Sequence, residues 1–192
     1  MRASSESGKT GVLFVCLGNI CRSPTAEAVF NMVVERAGVA DSFDIDSCGT
    51  GGGNPGWYKE GGWSYHEGDP ADSRMKAAAQ PRNVCLTSIS RPLKPEDFSR
   101  FDYIIGMDDS NMRAISTAAE YWASSAKLGK DMPPLDECMS KVRLMTKYCR
   151  DNKGAQSVPD PYYGGPQGFE VVLDLLEDAC EGLLADINAG KA

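Results

Sequence analysis

The sequence has little histidine, no Cys-x-x-Cys pair and no long apolar run. Its 192 residues contain one histidine, His66, and seven scattered cysteines, so we expect no bound metal. An odd number of such cysteines is typical of a reducing compartment, not of a disulfide framework. No apolar run approaches the roughly 18 residues of a membrane-spanning helix, and residues 1–10 lack the hydrophobic core of a secretory signal. We therefore expect a cytoplasmic protein, and leave open a removed organelle-targeting leader.

Positive charge is also scarce. The chain carries 20 Lys and Arg against 27 Asp and Glu, for a net charge of −7. This balance argues against binding to nucleic acid or to an anionic membrane, although a local basic pocket can still take an anion. Length and apolar content fit a single domain. We predict a flexible N-terminal segment at residues 1–10 and one domain over residues 11–192.

Apolar periodicity predicts strands that alternate with helices. The predicted strands lie at residues 11–16, 43–48, within 98–107 and at 142–149, and the predicted helices at 24–37, 74–80, 108–126 and 167–187. Residues 49–62 and 128–139 read as long loops. This order indicates a three-layer α/β sandwich, in which a four-stranded parallel sheet has helices on both faces. Ligands of such sheets bind beyond the carboxyl ends of the strands.

The stretch GVLFVCLGNICRSPTAEA, residues 11–28, places a short turn between the first strand and the first helix. Backbone amides in such a loop, closed by a helix N-terminus, form a phosphate site after the first strand. The same positive field favours a thiolate at Cys16. The planar guanidinium of Arg22 can bind two phosphate oxygens at once. A nucleophile in a phosphate-binding loop indicates a covalent phosphatase that needs no metal or other cofactor.

The loop reads VCLGNICRSP and resembles the VCxGNxCRSP signature of the low-molecular-weight protein tyrosine phosphatase family. The resemblance continues through Ser47, through SRPLKPEDF at residues 90–98 ahead of FDYIIGMDDSN, and through DPYYGG, which begins at Asp160. It covers residues 11–184. The fold that it implies is the family's four-stranded parallel sheet, in agreement with the pattern of strands and helices.

The resemblance also implies roles for individual residues. Cys16 would attack phosphorus and become a phosphocysteine, with Arg22 stabilising the transition state. Asp160 would protonate the leaving phenolate and then activate water. The remaining phosphate-binding residues would be Leu17, Gly18, Asn19, Ile20, Cys21 and Ser23. The implied substrates are phosphotyrosine-containing proteins or peptides and small aryl phosphates, and the product is inorganic phosphate. We expect a monomer or a weak dimer.

Aromatic residues are predicted to form the walls of the substrate crevice. In the family, the positions of Tyr162 and Tyr163 border this crevice, and Tyr65 matches the opposite wall, with Trp63 as a competing candidate. Flat aromatic walls suit a phenyl ring, and a deep slot favours phosphotyrosine over the shorter phosphoserine. Trp57, Tyr58 and Trp63 of the first long loop and its border could form a partner-binding patch or cover the core.

Two features of the loop's surroundings depend on the resemblance. Ser88 stands where the family usually has a histidine, so the support of Asn19 is expected to rely on Ser47 instead. The family's second loop cysteine can form a reversible disulfide with the nucleophile, which suggests a Cys16–Cys21 redox switch here.

Three other functions share part of this pattern. Arsenate reductases have the same fold and loop but need relay cysteines, for which Cys85 is the one candidate. Protein arginine phosphatases characteristically have threonine at the position of Ile20. A non-catalytic phosphotyrosine-binding module would lack the nucleophile or the acid, and here both Cys16 and Asp160 are present. The sequence therefore favours a phosphotyrosine phosphatase.

Overall fold

The structure, a computed structural model, describes residues 8–162 and 165–191. The strands in this part of the chain are β1 (Thr10–Cys16), β2 (Phe43–Gly49), β3 (Tyr103–Gly106) and β4 (Val142–Leu144). The α-helices there are α1 (Arg22–Arg36), α2 (Ser73–Ala79), α3 (Asp97–Arg100), α4 (Asp109–Ala123), α5 (Leu135–Ser140) and α6 (Pro166–Asn188). No helix among these residues is long and apolar enough to cross a membrane.

The four strands form one parallel sheet in the order β2-β1-β3-β4. Side chains of β1 alternate between the two faces of the sheet. Val12 and Phe14 belong to a core with α1, α2 and α6, whereas Leu13 and Val15 belong to a second core with α4. All four are fully buried. The predicted three-layer sandwich is therefore confirmed, and Cys16, the last residue of the central β1, lies at the carboxyl edge of the sheet.

Local capping chemistry explains where several helices begin. The side chain of Asp72 accepts a hydrogen bond from the Arg74 amide at the start of α2. Asp108 does the same for the Asn111 amide at the start of α4. Aspartate is among the preferred residues for this position because its carboxylate satisfies an otherwise unpaired N–H group. Both starts agree with the sequence-based prediction.

The predicted fourth strand, residues 142–149, is wrong beyond Leu144. Residues Met145–Tyr148 form a 3₁₀ turn, and the last residue of β3 pairs with Leu144, so the sheet offers no partner further on. The turn packs instead on α6 at Gly182, where a Cβ atom would lie 1.9 Å from the Tyr148 carbonyl oxygen. Sequence periodicity also missed the short helices α3 and α5, the second of which interrupts the predicted loop at 128–139.

Residues 49–62, the first of the two predicted long loops, pack on α4 through aromatic rings. Trp57 is buried and meets Trp122 edge to face, with ring centroids 5.8 Å apart. Tyr58 contacts Tyr121 in the same way at 5.3 Å, and its carbonyl oxygen accepts a hydrogen bond from the Trp122 indole at 2.7 Å. Trp57 and Tyr58 therefore cover the second core.

Candidate active site

The phosphate loop, residues 16–23, is held from outside through its carbonyl oxygens. In a trans peptide the carbonyl and the next N–H point in opposite directions. Where a carbonyl of the loop points outward and is bonded to a surrounding segment, the N–H group of the next residue therefore points into the loop. These hydrogen bonds join Leu17 O to the Gly52 amide (2.9 Å), Gly18 O to the Ser90 hydroxyl (3.0 Å) and Ile20 O to the Asp72 amide (2.7 Å).

Asn19 fixes the shape of the loop from within. Its backbone adopts φ of 54°, in the left-handed region that asparagine tolerates better than most residues. Its buried side-chain amide donates to the hydroxyls of Ser23 and Ser47, each at 2.9 Å. The side-chain oxygen accepts from the Arg91 amide at 2.9 Å. The expected contact between Asn19 and Ser47 is therefore present.

Ser47 is itself held by a carboxylate that the sequence analysis missed. Its hydroxyl donates to Glu27 at 2.6 Å. Burial raises the pKa of Glu27, against the lowering effect of hydrogen bonds from Ser47 and Ser88. Glu27 follows Ser23 by four residues in α1, so it faces the same side of the helix, and this spacing is the signal that could have identified it.

The Cys16 thiol lies at the floor of the loop. Its Sγ atom accepts hydrogen bonds from the Asn19 amide at 3.2 Å and from the Ser23 hydroxyl at 3.1 Å. Ser23 accepts from the Asn19 side chain, so its own proton is available to the sulfur or to the Cys48 carbonyl oxygen, which lies 3.2 Å from Oγ. Both contacts direct an N–H or O–H donor at the sulfur.

Arg22 crosses the pocket as a buried cation between two carboxylates. One guanidinium nitrogen bonds to Asp108 at 2.5 Å and to the Val158 carbonyl at 3.2 Å, and the other bonds to Asp160 at 2.9 Å. Burial works against the charged form, but the anionic groups around Arg22 raise its pKa above the usual value. Asp108 thus fixes the orientation of Arg22, while the second guanidinium nitrogen is bonded to Asp160, which lines the pocket.

Arg74 connects the segment of Asp160 to α2. Its guanidinium bonds to the Tyr162 carbonyl at 3.1 Å, pairs with Asp72 at 2.7 Å and lies over the rings of Tyr162 and Phe169, 5.1 and 5.3 Å from their centroids. The Tyr162 amide in turn donates to Asp160 at 3.0 Å. The position of the Asp160 carboxylate therefore depends on contacts with α2 as well as on Arg22.

His66 is a pocket residue that the sequence did not predict. It lines the pocket, and a Cβ atom on Gly18 would lie 3.0 Å from its ring. The absence of a side chain at Gly18 leaves room for this close approach, and the φ of Gly18 is not in the positive region. Tyr65 lies at the outer rim instead, largely exposed. The predicted wall residue Tyr163 lies outside the described residues.

Ten of the described residues line the pocket: Cys16, Leu17, Gly18, Ile20, Cys21, Arg22, Gly52, His66, Asp160 and Tyr162. The structure thus brings together the candidate nucleophile, arginine and acid, which are up to 144 positions apart in the chain. Burial, and after it the charge of Asp72, raises the pKa of Cys21 to about 12. Among the described residues, no three His, Cys, Asp or Glu side chains group as metal ligands.

Comparison with known proteins gives one consistent result. Residues 11–192 match the model of the low molecular weight phosphotyrosine protein phosphatase family. A relative from Synechocystis is 40% identical over 177 residues, which is 92% of this chain and 96% of its own. The rat low molecular weight phosphotyrosine protein phosphatase is 35% identical over 94% of this chain and 97% of its own.

A solved structure agrees with these relatives. The crystal structure of a protein tyrosine phosphatase from Entamoeba histolytica, with Hepes in its active site, superimposes with a TM-score of 0.79 and 39% identity. The match covers 96% of this chain and all of the Entamoeba chain. The chain therefore belongs to the low molecular weight phosphotyrosine protein phosphatase family.

Proposed function

We propose that the protein hydrolyses phosphotyrosine in proteins and peptides, and small aryl phosphates, through a phosphocysteine on Cys16. The observation that supports this most directly is the environment of the sulfur. Two hydrogen-bond donors contact Sγ, and the Arg22 guanidinium lines the same pocket. A cysteine sulfur that accepts two hydrogen bonds beside a permanent cation is suited to attack a phosphate group.

In the first step, Sγ of Cys16 forms a bond to phosphorus as the bond to the tyrosyl oxygen breaks. Asp160 gives its proton to the leaving phenolate. In the second step water attacks phosphorus, Asp160 takes the water's proton, and the electrons of the S–P bond return to sulfur. Inorganic phosphate and free thiolate result. The Ser23 hydroxyl assists the second step because it stabilises the departing thiolate.

The transition state carries negative charge on three equatorial oxygens. We assign their binding to Arg22 and to the loop from Leu17 to Ser23, whose inward amides form a preorganised set of donors. Substrate binding has to displace Asp160 from Arg22, to which it is bonded at 2.9 Å. The displaced carboxyl group is then beside the leaving oxygen, where a general acid has to act.

The substrate class is assigned from the pocket walls. Tyr162 and His66 line the pocket and Tyr65 lies next to it, and flat rings of this kind suit a phenyl group that stacks against them. Ile20 lines the pocket where an arginine phosphatase would have threonine. Cys85, the one relay candidate for arsenate reduction, is exposed and does not line the pocket.

We also propose that Cys21 protects Cys16 from irreversible oxidation. Peroxide would convert the Cys16 thiolate to a sulfenic acid, and attack by the Cys21 sulfur would form the disulfide and release water. Both residues line the pocket. Cys21→Ser should therefore impair recovery of activity by thiols after peroxide, and unchanged recovery would contradict the proposal.

The remaining assignments concern the compartment, the oligomeric state and the binding partners of the enzyme. We propose a cytoplasmic monomer or weak dimer that binds neither nucleic acid nor membranes. The net charge of −7 and the seven free cysteines support this assignment.

The test of the function is metal-free turnover of a phosphotyrosine peptide, measured with EDTA present and beside a phosphoarginine peptide. Turnover of the phosphotyrosine peptide alone, lost in Cys16→Ser, is the expected result. Preference for phosphoarginine would contradict the substrate class that we assign from the residues of the pocket wall. Absence of turnover for both would contradict the phosphatase mechanism itself.

A further inference from the structure

Several exposed apolar side chains lie on or next to segments that line the pocket, and Val171 on α6 does not. The large hydrophobic side chains with the highest exposure among the described residues are Leu17 (40%), Trp63 (52%), Tyr65 (60%), Ile89 (56%) and Val171 (47%). Leu17 belongs to the phosphate loop, and Ile89 precedes Ser90, whose hydroxyl bonds to that loop. Exposed apolar side chains that concentrate in one place mark binding surfaces more often than single scattered ones do.

Trp63 and Tyr65 are the two aromatic side chains among these exposed residues. Their rings meet edge to face with centroids 4.5 Å apart. The pair is continuous with the pocket, because a Cβ atom on the pocket residue Gly52 would lie 3.1 Å from the Cβ atom of Tyr65. A side chain next to a bound phosphotyrosine would leave the pocket directly beside these rings.

The segment that carries Trp63 is anchored. Asn54 donates a hydrogen bond to the Trp63 carbonyl at 2.7 Å. Trp57 packs so closely on Gly51 that a Cβ atom there would lie 2.4 Å from its ring, and the other side of Trp57 meets Trp122 on α4. A rigid aromatic side chain loses little conformational freedom when it binds a ligand, so its apolar contact area contributes to affinity.

We propose that Trp63 and Tyr65 form a subsite for an apolar or aromatic residue adjacent to the phosphotyrosine of the substrate. Residues 54–69 carry three acidic side chains against one lysine, so the charge of this segment favours such an occupant over an acidic one. The inference rests on the proposed phosphatase function and specifies which peptides the same site selects.

The experiment compares kcat/KM for peptides that share one phosphotyrosine and differ at the flanking positions, which carry glycine, phenylalanine or aspartate. For the wild-type protein we expect the phenylalanine peptide to exceed the glycine peptide by about tenfold, or about 1.4 kcal/mol. The difference should arise in KM, because contact with a flanking residue does not change during phosphoryl transfer. The aspartate peptide should be the poorest substrate.

Variants assign this preference to the ring of Trp63. Trp63→Ala should reduce the tenfold ratio to about one, and Trp63→Phe should retain most of it. Val171→Ala, which removes an exposed hydrophobic side chain from α6, should leave the ratio at tenfold. A ratio near one in the wild type, or an unchanged ratio in Trp63→Ala, would overturn the subsite while the phosphatase function stands. Failure of the wild type to hydrolyse p-nitrophenyl phosphate would instead overturn both.

Discussion

Replacing Asp160 with asparagine should have two opposite effects, because Asp160 is the proposed general acid and also bonds to Arg22. Turnover should fall, since the variant has no proton to give to the leaving group. General acid catalysis contributes about a hundredfold to ten-thousandfold. The loss should be largest for substrates with poor leaving groups, such as phosphotyrosine, and smallest for p-nitrophenyl phosphate.

Inorganic phosphate should nevertheless bind more tightly to Asp160→Asn. In the wild type, phosphate has to displace the Asp160 carboxylate from the Arg22 guanidinium, 2.9 Å away. The Asp160 side chain is 37% exposed, so water weakens this ion pair and we assign it no more than about 1 kcal/mol. Its removal should lower the inhibition constant of phosphate by up to about fivefold.

The assay measures initial rates on aryl phosphates of graded leaving-group acidity, together with competitive inhibition by inorganic phosphate. Asp174→Asn is the matched control, because Asp174 also pairs with an arginine, Arg82 at 2.7 Å, but on α6 away from the pocket. An inhibition constant that stays the same or rises in Asp160→Asn would refute the competition between phosphate and Asp160. A slowing that is equal for all leaving groups would refute the role of Asp160 as the acid.

Three further predictions concern stability, each measured by urea denaturation. Trp57→Ala should lower the free energy of unfolding by about 3–5 kcal/mol because Trp57 is buried in the second core; exposed Trp63→Ala is the control, and similar losses in both would contradict the packing. Burial raises the pKa of Glu27 above its ordinary 4.5, so the folded protein loses stability as the pH rises from 4.5 through that raised value. Over this pH interval the free energy of unfolding of Glu27→Gln should rise relative to that of the wild type. A difference between the two proteins that does not change with pH would contradict the raised pKa of Glu27. Burial opposes the charge of Asp108, yet its hydrogen bonds, one from Arg22, keep its pKa below the ordinary 3.8. Asp108→Asn should therefore lower the free energy of unfolding by about 1–3 kcal/mol at neutral pH, and this loss should become smaller below pH 3.8. A loss of the same size below pH 3.8 would show that it arises from packing and not from charge.

The parts of the fold that follow from local chemistry could be predicted from the sequence. The strand, loop and helix around Cys16 follow from an apolar run, turn residues and a proline in the first helical turn. The caps at Asp72 and Asp108 follow from the preference of helix starts for aspartate. The family and the parallel sheet, both inferred from the sequence, are confirmed by the comparisons and the structure.

Features that depend on distant parts of the chain could not be predicted in the same way. The end of β4 is decided by the close approach of its continuation to Gly182 on α6, which no periodicity in residues 142–149 encodes. The pair of Arg22 and Asp160 joins residues 138 positions apart. His66 lines the pocket because Gly18, far from it in the chain, leaves room for its ring.

The contact of Trp57 with Trp122 has a consequence for how the protein tolerates mutation. It joins the rim of the pocket to the surface of α4, on the face of the sheet opposite α1 and α6. Substitutions along that surface can shift the rim by small amounts while the hydrogen bonds to the Cys16 sulfur stay intact. In a mutational scan, we expect positions on α4 to alter which peptides are preferred, with the rate on small aryl phosphates unchanged. Substrate choice and chemical step can thus diverge independently in descendants of this chain.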